Sequence, residues 1–389
     1  MKRLRWLPVL VATAILVSAC SPKDDSEELI QENEQENVET TIIPNHQLND
    51  NYYRTLIPYK ESASRGLVVS NMNTKYDMRE VESGLMRLSQ REFNTNDYYF
   101  QEGQYLDAKT VKYWLARESQ TRDEKEELQG LNPSHLDANG AELEPTVKAE
   151  KAPIYLSHIV EQNYLKKTDD TRIALGGMSI GLSLNTIYYY QKEQYGEFFE
   201  QVLTDEQIEK AGKEMAEEII HRLRQREDLK NVPIMIGLFK QQAKNSIVPG
   251  TYFAYSVSKA GSEKLGEWQS INEKYMTLPV SNPEDIYREL NTNFLNFKQD
   301  IDEYFANFTS VIGTAFYVDN KATRLEVEIP IQFYGTAEII GFTQYLTGVM
   351  LEELPSNLQV TINVHSVNGA EALIKKEPGS NEPFVHIYD

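Results

Sequence analysis

At 389 residues, with 40% apolar and 10% aromatic side chains, the chain is long enough for one large domain or two to three ordinary ones. Its 39 basic and 59 acidic residues leave a net charge of −20 with no basic stripe, which excludes nucleic acid as a partner and keeps the body off anionic lipid. The single cysteine, Cys20, excludes an intramolecular disulfide.

The chain opens with Lys2, Arg3 and Arg5, followed over residues 7–19 by an apolar run ending in small side chains. That run falls short of the roughly 20 apolar residues needed to span a bilayer, and its layout is that of a secretory signal. The exit, Val17-Ser18-Ala19-Cys20, is an aliphatic residue, two small ones and a cysteine, the lipobox pattern of bacterial lipoprotein precursors. The expectation is cleavage between Ala19 and Cys20 by a signal peptidase. A lipid transferase would join diacylglycerol to the sulfur of Cys20, with palmitate-type acyl chains holding the protein on the extracytoplasmic face of the cell membrane. Each buried methylene adds roughly 0.8 kcal/mol, so two chains anchor stably where one does not. Residues 20–50 are polar and acidic, with Asp24-Asp25 and Glu27-Glu28 among them, and predict a disordered tether.

The body is expected over 51–389. In its N-terminal part, 51–117, the spacing predicts a helix over 77–88 with Val81, Leu85 and Leu88 on one face. A second helix is expected from Asp107 as N-cap, with Val111, Trp114 and Leu115 inward. Residues 118–151 are charged, lack periodicity and contain Pro133, Gly140 and Pro145, which predicts a long loop. A first unit, 152–262, then offers a strand over 173–185, a helix over 205–226 and strands over 232–239 and 252–257. A second unit, 263–389, offers a helical connection over 283–305, a strand over 324–333, a helix over 337–353 and strands over 358–365 and 384–388. The predicted fold class is α+β, with mixed or antiparallel sheets, packed helices and a β-α-β-β order appearing twice. Tyrosine, with 23 copies, clusters at Tyr52-Tyr53, Tyr98-Tyr99 and Tyr188-Tyr189-Tyr190, residues suited either to half-buried strands or to sugar, peptide and protein surfaces.

Gly177-Met178-Ser179-Ile180-Gly181 fits the G-x-S-x-G nucleophile elbow, with His221, His365 and His386 downstream. The same stretch alternates Met178, Ile180, Leu182 and Leu184 with small residues, which is a strand running straight through, its small face open to close approach. A surface serine hydrolase acting through Ser179 is therefore the remote alternative. The six histidines are scattered, with no H-E-x-x-H and no cysteine ligands, so no metal and no cofactor are expected. His158 and Glu161 are spaced to share a helix face, with the bland reading of a solvated contact, and Glu326 and Glu328 point to one side of a strand as paired acids would, although alternation with Leu325, Val327 and Ile329 reads as an ordinary half-exposed strand. No catalytic site is expected.

Three stretches in the N-terminal part, 53–59, Gly84-Leu85-Met86-Arg87-Leu88-Ser89 and 98–106, resemble the CamS family of Gram-positive lipoproteins, described as sex pheromone precursors. So do 175–182, 232–240 and 338–346, and the resemblance runs from about Tyr53 to the C-terminus. It implies that a short apolar peptide is released from the signal-peptide tail, here residues 13–19, Thr13-Ala14-Ile15-Leu16-Val17-Ser18-Ala19. The family's peptide begins Ala-Ile-Phe, and Leu16 stands here at the third place. Beside this reading stands a second, an extracytoplasmic lipoprotein whose body binds a peptide, a cell-wall glycan or a partner protein.

Overall fold

The computed structural model describes residues 27–31, 39–44, 46–49, 51–67, 72–118, 129–304, 311–332 and 335–388. The lipobox, with Ala19 and Cys20, and the segment 13–19 lie outside them.

The described chain begins with an antiparallel hairpin of β1 (Glu27–Gln31) and β2 (Glu39–Ile43), then β3 (Arg54–Thr55). Helix α1 (Lys75–Ser89) starts where the Thr74 hydroxyl accepts the Asp77 amide at 3.0 Å, and β4 (Tyr99–Glu102) follows. Two short helices come next, α2 (Ala108–Leu115), capped by Asp107, and α3 (Pro145–Lys151). Long strands β5 (Leu156–Lys167) and β6 (Arg172–Asn185) form an antiparallel pair, and a separate hairpin, β7 (Ile187–Gln191) with β8 (Phe198–Val202), leads into α4 (Asp205–Arg224). The half closes with β9 (Ile234–Gln241), β10 (Thr251–Ser258) and β11 (Gln269–Ser270). The first sheet runs β11-β10-β9-β6-β5-β4-β3, with β1 added beside β6.

The second half holds β12 (Glu273–Leu278), α5 (Asp285–Tyr304), β13 (Ile312–Val318), β14 (Lys321–Pro330), α6 (Thr336–Glu353), β15 (Gln359–Ser366), β16 (Gly369–Lys376) and β17 (Phe384–Ile387). Its six strands lie in the order β12-β13-β14-β15-β16-β17. In both sheets an antiparallel pair is followed by a helical crossover to a parallel neighbour and then an antiparallel return: β5-β6-α4-β9-β10 and β13-β14-α6-β15-β16. The fold class is thus α+β as expected.

Burial decides these elements more than local propensity. In α4, Ile208, Ile219, Ile220 and Leu223 are almost wholly buried against β6 and β9, and each such side chain contributes roughly 2 kcal/mol, against tenths for propensity. The first sheet is covered on both faces. Helices α2 and α4 pack one face through Val111, Trp114 and Ile219, while Val81, Leu85 and Leu88 of α1 pack the other beside Phe239 and Tyr252. One face of the second sheet is covered along its length by α5 and α6, through Phe294, Phe297, Phe342 and Leu346, while the other, among the described residues, is covered only at the β12–β13 end, where α1 meets Tyr275 and Phe316.

The structure departs from the sequence reading in four places. The 20–50 tether is not structureless throughout: Gln31 bonds Gln101 at 3.2 Å, and Ile43 is buried with Leu56, Tyr99, Leu165 and Ile173. The predicted loop over 118–151 ends in α3, because a proline at the first helical position starts a helix as readily as it breaks one. His158 and Glu161 lie on a strand, β5, not a helix, and their odd separation puts them on opposite faces. The closing strand of the second unit is β16, and the predicted strand at 384–388 is instead the sheet edge, β17.

Candidate functional site

Ser179 lies in the middle of β6, fully buried, between Gln162 of β5 and Met235 of β9. Its hydroxyl is bonded by the Ser89 hydroxyl of α1 at 2.7 Å. A Cβ at Gly177 would lie 2.2 Å from the Phe93 ring, and one at Gly181 would lie 2.3 Å from the Tyr252 hydroxyl. The small face of β6 is therefore the seat of α1 and its neighbours. A nucleophile elbow needs a strand-to-helix turn with an exposed hydroxyl, and this serine has neither. His221 sits on α4, and His365 and His386 sit in the other sheet, so the hydrolase alternative through Ser179 is set aside.

The most elaborate polar site among the described residues is built around Glu161, which the sequence reading treated as an ordinary contact. Its carboxylate lies under the turn that follows β4. Oε1 accepts the amides of Gln104 at 3.1 Å and Tyr105 at 3.0 Å, Oε2 accepts Leu106 at 2.6 Å, and the Asn163 amide donates to Oε1 at 2.7 Å. Burial pushes this carboxyl above its ordinary value, while Asn163 and the three backbone amides pull it back. Gly103 permits the approach, since a Cβ there would lie 2.5 Å from the Glu161 side chain. The arrangement is a backbone nest filled from inside the protein, so it fixes a loop and leaves no room for an outside anion.

On the opposite face of β5, His158 is buried, and its Nδ1 has no hydrogen-bond partner among the described residues. Burial alone lowers its pKa to about 4. The unfolded chain binds the proton below about pH 6.5 whereas the folded one does not, so stability is full above 6.5 and falls as the pH drops toward 4. The expected loss over that window is about 3 kcal/mol. Urea midpoints at pH 7 and 4.5 check it: His158→Leu should lose markedly less stability between the two than the parent, and equal losses would contradict the assignment.

The two sheets meet at a charged junction. Arg87 of α1 bridges Glu80 at 2.7 Å and Glu273 of β12 at 2.7 Å, and Tyr275 donates to Glu80 at 2.9 Å while accepting from Arg324 at 3.0 Å. Both guanidinium groups lie on the Phe316 ring, at 4.8 and 4.7 Å. Burial would lower the Arg87 pKa, but Glu80 and Glu273 hold it above its usual value.

The uncovered face of the second sheet carries Glu326 and Glu328, on one side as their spacing predicts. Glu328 accepts Asn363 at 2.8 Å and faces His365 Nδ1 at 3.4 Å. A wide groove of about 710 Å³ runs beside α4, lined by Tyr155, Lys210, Glu214, His221 and Arg222 among others. Arg222 is already engaged there by Glu218 at 2.7 Å and the Gln129 carbonyl at 2.6 Å. Among the described residues no group of three or more His, Cys, Asp or Glu is placed to hold a metal, and no helix is long and apolar enough to cross a membrane.

The fold and these sites define an α+β protein of two helix-packed sheets whose buried polar groups serve to hold elements together. Residues 59–382 match the family described as CamS sex pheromone cAM373 precursor, and the chain belongs to that family. It is similar to the solved structure of a sex pheromone precursor from Lactobacillus salivarius, at 32% identity and a TM-score of 0.78, over 88% of this chain and 98% of that one. It is also similar to the C-terminal domain of the sex pheromone staph-cAM373 precursor from Staphylococcus aureus, at 37% identity and a TM-score of 0.70, over 82% and 98%. Comparison with curated protein sequences gives no match.

Most of the stretches that carry the family resemblance include packing positions, although 53–59 also holds the exposed Ile57 and Tyr59. Residues 84–89 carry the inner face of α1 with Arg87, 98–106 are β4 and the Glu161 nest, 175–182 and 232–240 hold the paired centres of β6 and β9, and 338–346 carry the buried Ile339, Phe342, Thr343 and Leu346 of α6.

Proposed function

We propose that the protein is exported, cut before Cys20 and lipidated on that sulfur, leaving the body on the extracytoplasmic face while a short apolar peptide from residues 13–19 is released. The observation that carries this reading is the sequence Val17-Ser18-Ala19-Cys20 behind a basic, apolar leader, in a member of a sex pheromone precursor family. Membership supports the precursor role, and the unique cysteine supports the anchor. The reading includes no catalytic residue and no cofactor in the body.

The test is mass spectrometry of the culture filtrate together with membrane fractionation, comparing the parent with Cys20→Ser. The expected result is a peptide ending at Ala19 and a lipid-bearing chain beginning at Cys20 from the parent only, with the variant remaining an unlipidated precursor that still carries residues 1–19. A variant that yields the same peptide pool would sink the proposal.

A second reading concerns the body, for which a peptide precursor has no need. We infer that it binds a ligand outside the membrane, and the observation favouring this is the second sheet, which among the described residues keeps one edge and, away from the α1 junction, one face uncovered.

A further inference from the structure

Strand β17 pairs with β16 on one side and, among the described residues, with no strand on the other. At the far edge of the same sheet, β12 is tied to the first sheet, where Thr251 of β10 bonds the Glu273 carbonyl at 3.0 Å. The register shows which groups of β17 are free. The Tyr388 amide donates to the Glu371 carbonyl at 3.0 Å, and Phe384 and His386 stand opposite Lys375 and Leu373. In an antiparallel ladder alternate residues turn the same way, so 384, 386 and 388 turn their backbone groups to β16, and Val385 and Ile387 turn theirs outward.

Natural sheet edges are usually blunted by lysine, proline or an inward charge. Within Phe384-Val385-His386-Ile387 there is none, and Pro383 stands just before it. Phe384 is 61% exposed, and Val385 and Tyr388 are each 41% exposed. On the uncovered face Phe384, His386 and Tyr388 form a ring ladder with centroids 6.5 and 4.7 Å apart, while on the other face Ile387 packs against the core beneath α5 and α6. A strand laid beside β17 would therefore meet apolar surface on both of its faces and free backbone groups along its edge.

We propose that this edge accepts an extended, uncharged apolar peptide as a seventh strand, and that its occupant is the segment 13–19 of this same chain once released. The proposal rests on the release described above. Three features of Thr13-Ala14-Ile15-Leu16-Val17-Ser18-Ala19 fit the edge. Seven extended residues span roughly 23 Å, enough to cover the edge from 383 to 388. Ile15 and Val17 fall on one face of such a strand and Ala14 and Leu16 on the other, which suits an edge that is apolar on both sides. Ile15 and Val17 are β-branched, and no side chain of the segment carries a charge that would need a partner. Main-chain bonds would supply affinity and the ring ladder selectivity, as in other strand-addition sites. A second copy fits less well, because a four-residue edge falls short of the roughly 1,000 Å² that a stable interface needs.

The experiment titrates the synthetic heptapeptide of residues 13–19 into the chain from residue 20 onward, carrying Cys20→Ser so that no lipid is present. The expected result is saturable one-to-one binding, weakened at least tenfold by Val385→Pro, which removes an outward amide without touching the β16 ladder, and retained in Val385→Thr. N-methylation of Ile15 and Val17, or of Ala14 and Leu16, should abolish binding for one set and not the other. No saturable binding up to millimolar peptide, or binding indifferent to Val385→Pro, overturns the proposal. So does a dimer that Val385→Pro dissolves and the peptide does not compete with. Because the peptide is supplied, a negative result here leaves its release in the cell to be decided by the filtrate experiment.

Discussion

Glu161→Leu should lower the unfolding free energy by on the order of 4 kcal/mol. The leucine would leave the amides of Tyr105 and Leu106 buried without an acceptor, along with one amide hydrogen of Asn163, while the Gln104 amide keeps only Asn163 Oδ1 at 2.9 Å. Each stranded donor costs about 1–3 kcal/mol, and the apolar gain of a leucine side chain offsets only part of that sum. Glu161→Gln keeps one acceptor oxygen but aims its own NH2 at amides, so it should fall between leucine and the parent. Urea midpoints with unchanged slopes are the readout. A loss below about 1 kcal/mol for leucine would mean that water reaches the nest and that Glu161 does not organise the turn.

Arg87→Met should cost about 3–5 kcal/mol, because it strands two carboxylates at the junction of the sheets. Glu80 and the Glu273 side chain are 8% and 9% exposed, and Arg87 is the cation both share. The charge alone does not account for the expected loss: the guanidinium also lies on Phe316, a contact that methionine replaces only in part. The triple change Arg87→Met, Glu80→Met and Glu273→Met removes charge and partners together and should recover most of the loss, since a buried ion pair is worth little against apolar side chains of similar size. If the triple variant were less stable than Arg87→Met alone, desolvation would not be the source of the cost.

Much of the fold was legible in the chain. Helix α1 was visible in Val81, Leu85 and Leu88, α4 in Ile208, Met215 and Ile219, and β6 in its alternation of apolar and small residues, because a single buried face writes its period into the sequence. Strand β5 was not legible. Residues 158–165 are buried and include the uncompensated His158 together with Glu161, Gln162 and Asn163, polar groups that the Gln104–Leu106 turn and α1 make tolerable. The strands β12, β13 and β16 were missed for a related reason: Glu273, Tyr275 and Lys376 face partners distant in sequence, and Lys376 is buried by bonding the carbonyls of Ser356 and Leu358 at 2.8 and 2.9 Å. One signal for Glu161 was available, the word Gly103-Gln104-Tyr105-Leu106, whose glycine marks a close backbone approach.

The sequence by itself determined the class of fold, the family and the expectation of a leader ending at Ala19 before Cys20, since charge order, short apolar length and small residues beside a cysteine are local properties of the chain. Only the tertiary structure decided what the polar residues of the body are for. Ser179 has the spacing of a nucleophile and the surroundings of a packing residue, whereas Glu161 has the spacing of a surface pair and organises a turn. Those roles depend on which distant groups arrive within 3 Å, and on whether water is left beside them. The edge at β17 belongs to the same class of fact, because Phe384 to Ile387 read as any strand until the sheet, among the described residues, is seen to stop there.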